Sequence, residues 1–179
     1  MEVEIPDLEL CRAAHSAIIA TEAAHHFRWA LRDRRLHTRL GPDVRVAFAA
    51  SGLFTAGDYV QALCIRRRMA AHMAAVYERA DVIATPTVPC GPPRLHAAAL
   101  RCGESNLALT SSLMKFMQLA NLLGTPAVTV PTGLDAEGLP LGCAAPAAAT
   151  APPCFARCIL VFLDLQLVWV KTLFEPEQL

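Results

Sequence analysis

Two short apolar runs, each closed by proline, constrain this chain more than any other feature. Asp81-Val-Ile-Ala84 is stopped by Thr85-Pro86-Thr87-Val88-Pro89, and Ala127-Val-Thr-Val130 is stopped by Pro131. Both runs are short for a helix and mostly apolar, and proline at the exit cannot extend a ladder. Each therefore reads as a buried strand leaving a sheet.

The segments around them carry helical signals. Val3 and Ile5 alternate with Glu2 and Glu4 as in a short half-buried strand, which Pro6 ends. Asp7 is placed to cap a helix over about 8–31, where positions 10, 14, 17, 18, 24 and 27 form an apolar stripe. Residues 32–55 are charged and interrupted by Gly41-Pro42 and Ser51-Gly52, which predicts a connector with room for a helical turn. Thr55-Ala-Gly-Asp58 has the form of a capping box before a second helix over 56–79. Residues 88–106 read as loop, and a third helix over 110–123 has Thr110 or Ser111 as its cap and Gly124 just past its end. A turn-rich stretch from Pro131 to Gly138 then leads to Leu139-Pro-Leu-Gly142, the start of a partner strand. Helices alternate with short strands, so the fold class is α/β.

After Gly142 the character changes abruptly. Residues 143–153 are an Ala/Pro stretch of low complexity, a composition expected not to form a strand. Residues 154–174 are apolar but broken by Arg157, Asp164, Gln166 and Lys171, so no window has the length of a membrane span. Three readings of this segment stay open: a buried strand or helix, a peripheral membrane contact, and a tail prone to aggregation. If extended, it lines Ile159, Val161, Leu163, Leu165 and Leu167 along one face, suited to docking on an uncovered surface. The chain accordingly divides into residues 1–142 and a divergent tail, 143–179.

With 54% hydrophobic and 18% charged residues, the chain has the composition of one that buries a core. Sixteen basic residues balance sixteen acidic ones, and Asp33, Asp58 and Glu78 stand near the arginines at 32–35 and 66–68. No nucleic-acid partner is expected from that balance. The seven cysteines form no C-x-x-C pair, which favours a reducing, intracellular setting, and no histidine stands at a zinc-like spacing. No metal and no cofactor is expected. The opening MEVEIPDLEL has neither the basic nor the apolar region of a secretory leader.

Three pieces in order resemble the C-terminal half of amidase-signature enzymes: Asp81-Val-Ile-Ala-Thr-Pro-Thr87, Ala120-Asn-Leu-Leu-Gly-Thr-Pro-Ala-Val-Thr-Val-Pro131 and Asp135-Ala-Glu-Gly-Leu-Pro-Leu-Gly142. Ala20-Thr-Glu-Ala23 is similar to a helix of that family. Phe54-Thr-Ala-Gly-Asp-Tyr-Val-Gln-Ala-Leu-Cys-Ile-Arg-Arg-Arg68, Gly103-Glu-Ser-Asn106 and Leu113-Met-Lys-Phe116 resemble its plant-type fatty acid amide hydrolase branch. The resemblance covers residues 1–142.

What it implies is an α/β/α fold around a mixed sheet, present here in part, and carboxamide hydrolysis by a serine nucleophile activated through a second serine and a lysine. It also implies that the serines belong to a Gly- and Ser-rich signature, preceded by the lysine, upstream of the part matched here. Within this chain, Ser51-Gly52 and Thr110-Ser-Ser112 lack the paired glycines of a loop that delivers a nucleophile and its oxyanion donors, and read instead as a turn and a helix cap. The only lysines are Lys115 and Lys171, and Lys115 reads as a snorkelling surface lysine. No catalytic residue is carried over, and the chain is expected to be inactive alone. The resemblance assigns Thr85, Thr87, Met114 and Met117 to a substrate-cleft wall. It makes both proline-closed strands central in a complete family member, with the helices over 8–31, 56–79 and 110–123 packed on them. The partners it implies are an amide substrate, a lipid amide in this branch, acting in the complete enzyme, and self-association through faces that the other half of the family fold would cover. A non-enzymatic interaction protein, or a splice or gene-model fragment, is the alternative reading.

Overall fold

The computed structural model describes residues 2–104, 106–147 and 168–170. Strand β1 (Glu2–Val3) leads through Pro6 to Asp7, which has φ 62° and is the only non-glycine residue with positive φ among those described. Helix α1 (Leu8–His26) follows. Asp7 does not cap α1 with its side chain, contrary to expectation. Its carboxylate is turned away to Arg68, 3.0 Å from Nε, with His72 Nε2 at 3.7 Å, too far for a hydrogen bond. A guanidinium is the stronger partner, and the left-handed backbone at Asp7 accommodates the exchange.

The first helix ends five residues earlier than the stripe predicts, at Phe27, and continues as α2 (Arg28–Arg32) and α3 (Arg34–His37). Asp33 caps α3 by accepting the Arg35 N–H at 2.8 Å. The expected connector also contains α4 (Pro42–Ser51). Gly41-Pro42, an interruption by composition, is a helix start in the fold, because proline is tolerated where the first-turn N–H has no partner. The capping box at Thr55 is present: Asp58 N–H donates to Thr55 Oγ1 at 3.1 Å, and Thr55 N–H donates to Asp58 Oδ2 at 2.8 Å. It opens α5 (Ala56–Tyr77).

Strand β2 (Ile83–Pro86) is followed by α6 (Ala99–Cys102), α7 (Leu107–Leu113) and α8 (Gln118–Leu123). The expected third helix is thus two helices broken at 114–117. The cap of α7 is Asn106, which accepts the Leu109 N–H at 3.1 Å, rather than Thr110 or Ser111. Gly124, with φ 69°, closes α8 in the left-handed conformation that glycine adopts without penalty.

Strands β3 (Ala127–Leu134) and β4 (Pro140–Pro146) form an antiparallel hairpin with an irregularity between Pro131 and Gly133. A final strand, β5 (Val168–Val170), completes a mixed five-stranded sheet in the order β1-β5-β2-β4-β3. Of the two proline-closed strands, β2 holds the middle of the sheet but β3 lies at its end, with Val128 and Val130 half-buried and Ala127 and Thr129 exposed. The reason is the hairpin: β4 returns between β3 and β2 and takes the inner place. The Ala/Pro stretch also departs from expectation, since β4 runs through Cys143 to Pro146 and Ala145 is 0% exposed. Alanine suits a strand pressed between two neighbours, and Pro146 sits at the strand's last position, where a missing donor is tolerated. Of the apolar segment 154–174, residues 154–167 and 171–174 lie outside the described residues.

The core joins α1, α5, α8 and β2. Met69, at 0% exposed, belongs to one buried cluster with Cys11, Ala14 and Ala17 of α1, Ile83 of β2, Leu122 of α8, Ile5 and Met73. Burial pushes the Cys11 thiol up to about 12. A second cluster, Val82, Ala145, Val128 and Val130, lies within the sheet. No described helix is long and apolar enough to cross a membrane.

Truncating the centre of this core, Met69→Ala, is expected to cost about 2–5 kcal/mol in chemical denaturation, and Thr55→Ala, which loses only the cap, about 1 kcal/mol. His15 is buried in α1, and burial holds its imidazole below the ordinary 6.5. Below pH 6.5 the unfolded chain therefore binds a proton that the folded chain refuses, so stability should fall as pH drops from 6.5 toward the lower folded value. Denaturation midpoints of wild type and His15→Gln across that window should converge if His15 is the cause.

Candidate functional site

Four residues are expected to line a cleft, and the fold sorts them into two places. Thr85 and Thr87 sit at the end of β2 against β4: Thr85 is opposite Ala144, and the Thr87 N–H donates to the Gly142 carbonyl at 2.9 Å. Ala144 is also opposite Thr129 of β3, so Thr85, Thr87, Thr129, Gly142 and Ala144 share one face of the sheet. The face is crowded. A Cβ on Gly142 would stand 2.9 Å from Thr87 Oγ1 and 3.1 Å from Thr129 Cγ2, so glycine is what lets the three strands close here.

The hydroxyls of Thr85 and Thr87 are both buried without a hydrogen-bond partner. Thr85 as a whole is 7% exposed. Next to it, Cys143 is buried, which raises its thiol above the usual range, and the Thr85 N–H partly opposes that rise. The sheet face therefore carries two donor and acceptor groups that nothing in the described chain satisfies.

Met114 and Met117 occupy the turn between α7 and α8, Met114 ending one helix and Met117 preceding the next, and both are half-buried. They are brought together with each other; no hydrogen bond links that turn to Thr85 or Thr87 among the described residues. Lys115, between them, has its ammonium 5.5 Å from the centre of the Phe116 ring. Partial burial lowers its pKa, and the Arg12 charge adds to the effect against a smaller opposing pull from Glu9.

The candidate nucleophiles are engaged elsewhere. Ser51 ends α4 and donates to the Phe48 carbonyl at 2.6 Å. Ser111 accepts from Arg12 at 3.2 Å, while Arg12 also holds Glu9 at 2.9 Å. Thr110 donates to the Asn106 carbonyl at 3.1 Å. The Ser51 O–H is thus committed to its own helix, and the guanidinium beside Ser111 is a donor that cannot take its proton.

One feature of the surface escaped sequence reasoning. An open cleft of about 680 Å³ lies at the end of α1, lined by Ile19, Glu22, His25, His26, Phe27 and Tyr59 among others. Tyr59 Oη donates to Glu22 Oε1 at 2.7 Å across the α1–α5 contact. The bond raises the Tyr59 pKa. The adjacent histidines are the visible signal in the sequence, but only the break at Phe27 makes a wall of them. Among the described residues no three His, Cys, Asp or Glu side chains cluster as metal ligands would.

Known proteins resemble this chain in sequence and in fold. A family model described as Amidase matches residues 1–150. A fatty acid amide hydrolase of Medicago truncatula is 41% identical over 142 residues, covering 79% of this chain and 23% of that protein. One of Arabidopsis thaliana is 39% identical over 142 residues, with the same coverage. The chain thus spans about a quarter of the length of these relatives. Among solved structures, a crystal structure of an amidase aligns with a TM-score of 0.69 at 24% identity, over 83% of this chain and 33% of that one, a likeness of fold. A bacterial aryl acylamidase of the amidase-signature family aligns with a TM-score of 0.62 at 21% identity, over 81% of this chain and 31% of that one, again a likeness of fold. The mixed sheet with its flanking helices is part of an amidase-signature fold, and the chain belongs to the amidase family.

Proposed function

We propose that this chain is the C-terminal part of a serine amidohydrolase acting on fatty acid amides, and that it supplies fold and cleft wall rather than the nucleophile. The observation that carries the substrate class is the identity of about 40% to plant fatty acid amide hydrolases over 79% of the chain. The order of its motifs, ending with the strand pair β3–β4, supports the C-terminal assignment. That it brings no nucleophile is supported by the lack of a glycine-flanked serine pair in the sequence and, among the described residues, by the commitment of the Ser51 hydroxyl to its own helix. In this reading Thr85 and Thr87 form the polar wall of the cleft, and Met114 and Met117 the apolar one, where an acyl chain lies. Dispersion and burial along methionine side chains suit a flexible chain of methylenes.

A second reading, a non-enzymatic protein that binds through uncovered faces, draws on the exposed apolar side chains. Leu53 is 82% exposed, and Trp29, Val60, Leu100 and Leu107 are exposed as well. Both readings include self-association.

The purified chain is expected to hydrolyse neither a long-chain acyl amide nor a small primary amide above the buffer rate, and a fluorophosphonate should label none of its serines. Turnover accompanied by a labelled serine in this chain would overturn the proposal. In sedimentation the chain is expected to run as a mixture of associated species, and a single compact monomer with a sharp unfolding transition would speak against the uncovered faces.

A further inference from the structure

Strand β5 is remote in sequence from the sheet that surrounds it. The family match ends at residue 150, yet Val168–Val170 pairs in parallel with β1 on one side and with β2 on the other. β1 and β2 are not neighbours; one strand's width separates them in the sheet. The walls of that gap are Glu2 and Val3 opposite Trp169 and Val170, and Ile83 and Ala84 opposite Val168 and Trp169. Ile83 is 1% exposed, Ala84 is fully buried, and Ile5 and Val82 beyond them are buried too. Along the β2 wall the backbone groups are out of reach of water, and only another strand can bond them along their length, whereas the β1 wall is shallower, with Glu2 exposed and Val3 half-buried.

We propose that the gap between β1 and β2 is a strand-acceptor site, filled in cis by this chain's own residues 168–170, so that an extended apolar strand offered in trans binds only by displacing β5. Recognition there is a parallel backbone ladder on both sides of an uncharged strand, the chemistry of β-strand addition with two edges instead of one. The cis occupant is favoured by its tether. Residues 147–167 join β4 to β5, and closing a loop of that length costs less than recruiting a second chain at micromolar concentration. The inference depends on the sheet order and the family match, and not on the hydrolytic reading.

In the full chain Val170→Pro removes an N–H from a strand bonded on both edges. Whichever of the Ile83 and Ala84 amides faces β5 should then exchange about tenfold faster or more. The Val128 and Val130 amides of the β3–β4 hairpin should keep their protection, and Val170→Ala, which retains the N–H, should change neither reading. A synthetic peptide spanning 165–173 should restore the lost protection in Val170→Pro. In the chain with β5 intact, the same peptide in excess should displace β5 and leave the 168–170 amides unprotected, which decides the matter even if Val170→Pro unfolds. The proposal is overturned by unchanged protection at both Ile83 and Ala84 in a folded Val170→Pro chain, by a peptide that neither restores that protection nor frees the 168–170 amides, or by protection that rises with protein concentration, which would assign the strand to a second copy.

Discussion

Strand β2 is four residues long and divides its bonding in the middle. Ile83 and Ala84 pair in parallel with β5, while Thr85 and Pro86 pair antiparallel with β4. The sheet changes sense at this point, so among the described residues the parallel part near β1 and the hairpin near β3 are joined through β2 and the Val82–Ala147 bridge beside it. The same strand presents Ile83 to the helices, where it belongs to one buried cluster with Met69 and Leu122. Loss of β2 would separate the hairpin, the parallel strands and the helical layer at once. The Asp7–Arg68 ion pair adds a tie at the other side of that layer, holding the start of α1 to α5, although a half-exposed pair contributes little by itself.

How much of this was legible in the sequence depended on whether a signal was local. The capping box at Thr55, the stop at Gly124 and the hairpin start near Pro140 are fixed by side chains within a few residues, and they stand where the pattern places them. Gly41-Pro42 failed as an interruption because the same dipeptide ends one helix and begins another equally well. The edge position of β3 depends on which strand lies beside β2, a long-range choice that no local pattern encodes. The strand through Ala144 and Ala145 was hidden for a related reason: alanine has little preference of its own, and burial between two partners decides its conformation.

The candidate site divides along the same line. That Thr85 and Thr87 stand at the exit of a strand follows from their prolines, whereas the absence of partners for both hydroxyls is a property of the neighbours, Gly142 and Ala144, which offer no polar side-chain atom to meet them. The helix expected over 110–123 would hold both Met114 and Met117, but they are found in a turn between two helices, where the Thr110-Ser-Ser112 run precedes the break with side chains that compete for backbone partners.

The hairpin at the end of the described sheet limits its own extension. Residues 127–130 of β3 are regular, carry no charge and face outward along an edge, the kind of border on which sheets grow. At Pro131 the border loses a donor, and by Gly133 the register has shifted. A strand joining from that side would find a ladder of about four residues before the geometry turns it away, too short to hold on backbone bonds alone. Lateral growth of this fold is therefore permitted but shallow, and a stable neighbour at β3 has to bring side-chain contacts of its own.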